Sequence, residues 1–306
     1  MSILHVDFNN LAFRCLFSPE IKATTDTPNY ELWAYMVFQS ILGTAEKFGP
    51  FDHVNVAIDG DSWRHLIYKR YKEDRAAKKE SMGVDFDGFW KRAYELLDDM
   101  RACSPFRVMQ VKLAEADDTI ATICMKLDDR HMVLSADEDY SQLLLWAGVR
   151  IYDPLKARFV ENAKPGEWLL TRFLMGQKKD NIFNVLTPDD WGLTEETKGK
   201  RKPGFGEAAA GKAMTHPGGH EPYMDSKAAQ PKGEAYRGWR ERYARNQRLI
   251  DFRLIPEALQ QKILGEWSAA PKTFDREQFR AMCERRMWGQ YLSRFDEIAN
   301  KLAKLN

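Results

Sequence analysis

A chain of 306 residues exceeds the usual size of one domain, and 44% hydrophobic residues with nine Trp are enough for two packed cores. The net charge of +1 excludes a uniformly basic or acidic protein, so any basic binding face must be offset by acids elsewhere. No apolar run reaches the roughly 20 residues of a membrane helix, and MSILHVDF enters a strand pattern without the basic start of an export signal, which implies a cytoplasmic protein with no membrane partner. The four cysteines, Cys15, Cys103, Cys124 and Cys283, lack C-x-x-C spacing and are expected as reduced core thiols.

In chain order, short apolar runs that end in acids alternate with helix-length segments. ILHVD is followed by a helix at Tyr30 to Lys47, HVNVAID by one at Asp85 to Met100, and FRVMQV by one from about Glu115. HMVLSAD, a short helix near Tyr140 to Leu145, and VRIYD complete the series. This alternation predicts an α/β fold with a mainly parallel sheet covered by helices. The pattern changes near residue 165: a helix at Gly166 to Met175 follows, then a segment from Glu195 to Tyr236 without one Ile, Leu or Val, expected as a long loop. Amphipathic helices resume in EALQQKILGEW and QFRAMCERRMWGQYLSRFDEIANKLAKL. The expected division is therefore an α/β domain over 1–165 and a helical domain over 166–306, with the loop at about 195–236. Trp33, Tyr35, Met36 and Phe38 are assigned to core packing, and His5, His53 and His131 to strands without catalytic duty.

Acids at the carboxyl ends of parallel strands converge on one crevice, where such sheets bind ligands. Asp7 and Asp59 close the first two strands, Asp137 and Asp139 follow the HMVLSAD strand, and Glu115, Asp117 and Asp118 open a helix. Any one of them is unremarkable as a turn residue or helix N-cap. Together they would repel and raise one another's pKa unless cations neutralise them, and hard oxygen donors suit Mg²⁺ or Mn²⁺. Two divalent ions in an all-carboxylate site activate water and stabilise the leaving oxygen in phosphodiester cleavage. A basic run lies nearby in sequence: Arg64, Lys69, Arg70, Lys72, Arg75, Lys78 and Lys79 face only Glu73 and Asp74.

The segments HVDFNNLAFR, AIDGDSWRHLIYKRYKEDR, LAEADDTIATI, VLSADEDYSQLL and GQKKDNIFNV, in this order, resemble the 5′-nuclease or flap endonuclease family. That family includes exonuclease domains of bacterial DNA polymerases and the ribonuclease H of T-even bacteriophage, to which YARNQRLIDF and the Ile-Pro pair that follows are also similar. The resemblance implies a PIN-like nuclease fold followed by a helical domain with a helix-three-turn-helix. It implies metal roles for Asp7, Asp59, Glu115, Asp117, Asp118, Asp137, Asp139 and Asp180, holding two Mg²⁺ ions for which Mn²⁺ substitutes. Residues 62–90 would form the helical arch, with Arg64, Lys69 and Arg70 binding nucleic acid, Lys72 and Arg75 also stabilising transition-state charge, and Tyr71 stacking on a base. Gly204 and Gly206 would present a turn to duplex phosphate and a monovalent cation. The implied activity is that of a monomeric 5′→3′ exonuclease and flap endonuclease with RNase H activity, removing RNA primers in phage replication. Branched or nicked DNA and RNA–DNA duplex would be its substrates, and a single-strand-binding protein and a sliding clamp its partners. One departure stands out: the family's G-D-x-S-D-N reads here Gly176, Gln177, Lys178, Lys179, Asp180, Asn181, which replaces a carboxylate by a neutral amide. Two alternatives stay open, a PIN-type endoribonuclease and a non-catalytic structure-specific nucleic-acid-binding protein.

Overall fold

β1 (Ser2–Asp7) is buried at every position, as a central parallel strand covered on both faces must be. In the computed structural model, which describes residues 1–22, 28–269 and 273–305, β1 pairs in parallel with β2 (His53–Ala57) on one side and β4 (Arg130–Leu134) on the other. β3 (Arg107–Met109) lies outside β2, β5 (Val149–Asp153) outside β4, and a two-residue antiparallel β6 (Arg158–Phe159) ends the sheet, giving the order β3-β2-β1-β4-β5-β6. The chain works outward from β1 through β2 to β3, then returns to β4. The switch point, where a crevice opens at the strands' carboxyl ends, therefore lies between β1 and β4.

Successive strand residues point to opposite faces. Leu4 and Val6 join Val54, Val56, Met132 and Leu134 in one core with Phe38, Phe89 and Leu97 from the helices Tyr30–Phe48 and Phe86–Cys103. The helix Ala116–Lys126 packs against β1 and β2, and the helix Glu257–Ala269 packs on it in turn. A buried polar relay also crosses the sheet. Asn55 Nδ2 lies 3.1 Å from His5 Nδ1, His5 Nε2 lies 3.0 Å from His131 Nδ1, and His131 Nε2 lies 3.1 Å from the Leu127 carbonyl. The carbonyl can only accept, which fixes the tautomers down the line: His131 donates from Nε2, His5 donates from Nε2, and Asn55 donates to His5. Burial lowers the pKa of both histidines, and so keeps them neutral.

The described residues form two compact units. The sheet unit holds residues 1–62, 84–161 and 256–306, and the helical unit holds 63–83 and 162–255. These boundaries differ from a cut at 165/166, because the last fifty residues return to the sheet unit. Phe279, Trp288, Tyr291 and Phe295 enter its main core, and Arg286 is held by Asp99 and Glu31. The C-terminal stretch is not continuous helix either: it breaks around Met287, whose φ of 54° is left-handed, into Arg276–Arg285, Gly289–Ser293 and Phe295–Leu302. The expected loop at 195–236 contains helices Glu207–Met214 and His220–Ala228. Their core is built from Phe205, Ala210, Ala213, Met224 and Trp239, so counting only Ile, Leu and Val missed a helix rich in alanine, the strongest helix former. The helix Phe8–Leu16, capped by Asp7, was also not anticipated. All four cysteines are free and buried, as expected. Among the described residues no helix is long and apolar enough to cross a membrane.

The relay makes a testable demand on stability. Both histidines have folded pKa values below their ordinary value, so their contribution is complete at neutral pH and is lost as pH falls below about 6.5. His5→Leu leaves Asn55 and His131 with an apolar neighbour and should cost on the order of 2 kcal/mol at pH 7.5. Denaturant melts of both proteins from pH 7.5 to 5 should show this gap narrowing with acid; a constant gap would mean that the histidines do not titrate on unfolding.

Candidate metal centre

Asp7 ends β1 and begins the next helix. Its Oδ1 accepts from the Asn10 amide at 3.0 Å, an N-cap, while Oδ2 accepts from Ser135 Oγ and Tyr140 OH, each at 3.3 Å. Asp59 follows β2. Asn9 Nδ2 donates to its Oδ2 at 2.9 Å and the Ala116 amide to its Oδ1 at 2.8 Å, which ties the end of β2 to the start of the helix Ala116–Lys126. Gly60 is required here because a Cβ would lie 2.6 Å from the Val111 carbonyl and 2.9 Å from that of Ala114. This close approach sets the turn that delivers Glu115.

Glu115 Oε2 accepts from Ser62 Oγ at 2.8 Å, and the Glu115 amide donates to Asp118 Oδ2 at 3.0 Å. Donor oxygens of Glu115, Asp117 and Asp118 lie within 4.8 Å of one another. Asp137 Oδ1 accepts from the Asp139 amide at 2.9 Å, so these two acids share one tight turn after β4. The charges act on one another. Burial first, then the carboxylates of Asp59 and Asp137, raise Asp7 to about 7. Tyr140 is pushed well above its ordinary value by burial and by Asp7, Asp117, Asp137 and Asp59. The sheet unit therefore gathers all seven of its expected carboxylates around β1, β2, β4 and one helix start. Negative charge raised in energy in this way, on hard oxygens, fits a divalent cation, which would displace the Asp7 proton. The sequence reading overlooked the positioning partners Asn9, Ser62, Ser135 and Tyr140. The only sequence signal for them is that each lies within a few residues of an acid in the same motif.

Asp180 belongs to the helical unit, where Arg75 Nη2 lies 2.8 Å and Lys72 Nζ 3.9 Å from its Oδ1. The basic segment is laid on this turn through its backbone as well. The Lys72 amide donates to Asp180 O at 2.9 Å, and Asn181 Nδ2 donates to Arg70 O at 2.9 Å. Lys72 takes a left-handed φ of 56°, unusual for a side chain of its size. Gln177 is buried, and its backbone forms paired hydrogen bonds with Ile182, both at 2.9 Å.

Two of the expected nucleic-acid contacts sit inside the unit. Arg64 is 2% exposed and its Nε donates to the Leu249 carbonyl at 2.7 Å. Tyr71 is 3% exposed and packs with Leu169, Phe173 and Ile250, so its ring offers no face to a base. Lys69 is exposed, and the side chain of Lys78 lies outside the described residues. Gly204 and Gly206 are exposed with open space where a Cβ would stand, and Phe205 between them anchors the turn in the core.

The family described as 5′-3′ exonuclease, N-terminal resolvase-like domain, matches residues 2–168. The chain is 24% identical over 251 residues to ribonuclease H of Enterobacteria phage T4, covering 79% of this chain and 78% of that one. Its fold is that of the T5 D15 protein co-crystallised with metal ions, with a TM-score of 0.65, 17% identity, and coverage of 88% of this chain and 100% of the other. The bacteriophage T5 flap endonuclease crystallised with DNA and metal ions superposes with a TM-score of 0.62, 18% identity, and coverage of 87% and 99%.

A carboxyl group with a folded pKa raised to about 7 holds its proton longer than it does in the unfolded chain. Stability attributable to Asp7 therefore falls as pH rises from about 4 to 7, by on the order of 4 kcal/mol in all. In EDTA, Asp7→Asn should gain stability relative to the natural protein as pH rises from 5 to 8, read by thermal melting. A difference that does not change with pH would show that Asp7 is not forced to keep its proton.

Proposed function

This chain belongs to the 5′-3′ exonuclease family through its N-terminal, resolvase-like domain, and on that premise we propose how this nuclease works and what it does. It is a phosphodiesterase of the 5′-nuclease and flap endonuclease kind. We assign it 5′→3′ exonuclease and flap endonuclease activity with RNase H activity, dependent on Mg²⁺, in the removal of RNA primers and adjacent DNA from lagging-strand fragments during phage DNA replication. The observation that carries this reading is the convergence of carboxylates at the carboxyl ends of the parallel strands, where burial and the charges of Asp59 and Asp137 raise Asp7.

Asp7, Asp59, Glu115 and Asp117 would hold the essential ion, Asp118, Asp137 and Asp139 would add charge for a second, and Asp180 is a further ligand by resemblance to the family. Ions held there would supply the activation of a water and the stabilisation of the leaving oxygen. The residues of the chain do the rest. Tyr140, Ser135 and Asn9 keep the carboxylate oxygens aimed, and Lys72 and Arg75 hold phosphate and offset charge that develops on it. The 62–90 segment receives the single strand. The helical region after residue 165 takes the duplex, with Gly204 and Gly206 letting the phosphate backbone approach main-chain N–H groups and a monovalent cation. The DNA and metal ions held by the T5 flap endonuclease support this assignment. Single-strand-binding protein and sliding clamp are its proposed partners.

Asp59→Asn should lower turnover on a flap substrate on the order of a hundredfold with little loss of binding, since it removes charge at the ion and no contact to nucleic acid. Near-normal cleavage by this variant would refute the site. A second measurement concerns Gln177, the neutral group where the family has a carboxylate. Gln177→Asp should shift the Mg²⁺ dependence of cleavage to lower concentration with a modest change in saturated rate. Superimposable titrations would remove residue 177 from the metal's surroundings. A natural protein inactive at every concentration and rescued only by Asp would favour a binding protein instead.

A further inference from the structure

In the helical unit, Arg70 and Lys202 both face the ring of Phe183, with the guanidinium carbon 5.0 Å and Nζ 3.8 Å from its centroid. Burial, and then the charge of Arg70, lower the pKa of Lys202, so the two cations are held together against their repulsion. They border a cavity of about 210 Å³ whose walls also include Trp191, Thr197 and Lys200, with Glu73 and Asp74 on its rim.

This cavity is built by specific bonds. Arg70 Nη1 donates to the Trp191 carbonyl at 2.8 Å, which ties the basic segment to the 191–202 loop. The loop is closed on itself: the Gly192 amide donates to Thr197 Oγ1 at 2.9 Å, and the hydroxyls of Thr194 and Thr197 lie 2.6 Å apart. Gly192 and Gly199, with φ of 81° and 72°, supply the left-handed turns at its two ends. The indole Nε1 of Trp191 donates to the Lys200 carbonyl at 3.4 Å, so one aromatic wall and one cationic corner are held as a piece.

An aromatic wall, clustered cations and carboxylates that can accept from base N–H groups form the chemistry of a nucleotide site. We infer that this cavity receives one nucleotide of a single-stranded DNA or RNA segment, its phosphate on Lys200 and Lys202 and its base against Trp191. A strand suits it better than a free nucleotide, because further cations adjoin the lining residues in the sequence, Lys69 and Lys72 on either side of Arg70 and Arg201 between Lys200 and Lys202. The inference rests on the nuclease reading above and adds a subsite to it.

Binding of a fluorescent single-stranded oligonucleotide, followed by anisotropy in EDTA, tests the inference without cleavage. The exposed pair Lys200→Ala/Lys202→Ala should bind about five- to twentyfold more weakly, with a salt dependence reduced by roughly one to two units of slope. Trp191→Ala should lose about five- to a hundredfold with the slope unchanged, because stacking releases no counterions, and Trp191→Phe should restore most of the loss. Binding within twofold of natural in both the lysine pair and Trp191→Ala overturns the inference. Equal losses in Trp191→Ala and Trp191→Phe overturn the stacking role. A deoxynucleoside monophosphate or inorganic phosphate that displaces the oligonucleotide at comparable concentration would make this a free-nucleotide or anion site and overturn the strand assignment. Cleavage of a flap by the natural protein in Mg²⁺ is scored separately: its absence counts against the nuclease reading, whereas cleavage with unaffected variants counts against the cavity alone.

Discussion

Carboxylates gathered out of water repel one another, and the sheet unit is organised around making that tolerable. Its parallel strands start two helices at the edge where they end, and a helix N-terminus offers free N–H groups and positive partial charge. Asp7 caps the helix Phe8–Leu16, while Asp59 takes the first amide of the helix Ala116–Lys126, whose opening turn carries Asp117 and Asp118. Asn9, Ser62, Ser135 and Tyr140 add neutral donors. These donors fix oxygens of Asp7, Asp59 and Glu115 but bring no net positive charge. Burial, and after it the charges of Asp59 and Asp137, still raise Asp7 to about 7.

The helical unit poses the same problem with the opposite sign. Its basic segment would repel itself in isolation, and it is fixed by attachment to the 177–182 turn. Arg70, Lys72 and Arg75 are each tied to it through side chain or backbone, and Asp180 receives two of the cations. Gly176, with φ of 68°, permits the close return of the chain, since a Cβ there would lie 2.3 Å from the Ile182 carbonyl. The left-handed Lys72 and Asn181 show how tightly the two segments are fitted. Burial of Arg64 and Tyr71 beneath the segment makes them its support, whereas Lys69 is exposed.

What the sequence made legible follows from period and position. Strands β1 to β5 and the helices at 30–48, 86–103 and 116–126 are long or strongly patterned, and acids stand at their ends. Three kinds of feature did not show. β6 is two residues long, below any periodic signal. The helices at 207–214 and 220–228 bury Ala and Met in place of Ile, Leu and Val. The return of residues 256–306 to the sheet unit depends on long-range contacts such as Arg286 with Asp99, which no local pattern encodes. Arg64 and Lys72 sit in one basic run in the sequence, and only tertiary packing separates a buried arginine from a lysine facing a carboxylate.

Within the helical unit, Asp180 is the side chain that meets the basic segment most directly. As it stands, Arg75 and Lys72 compensate it, so a divalent cation at this carboxylate would compete with them. The competition has a consequence for substrate. Were a phosphate to draw Arg75 away, Asp180 would be left less compensated and would hold a cation more strongly, and by thermodynamic linkage a cation at Asp180 would release Arg75 toward phosphate to the same degree.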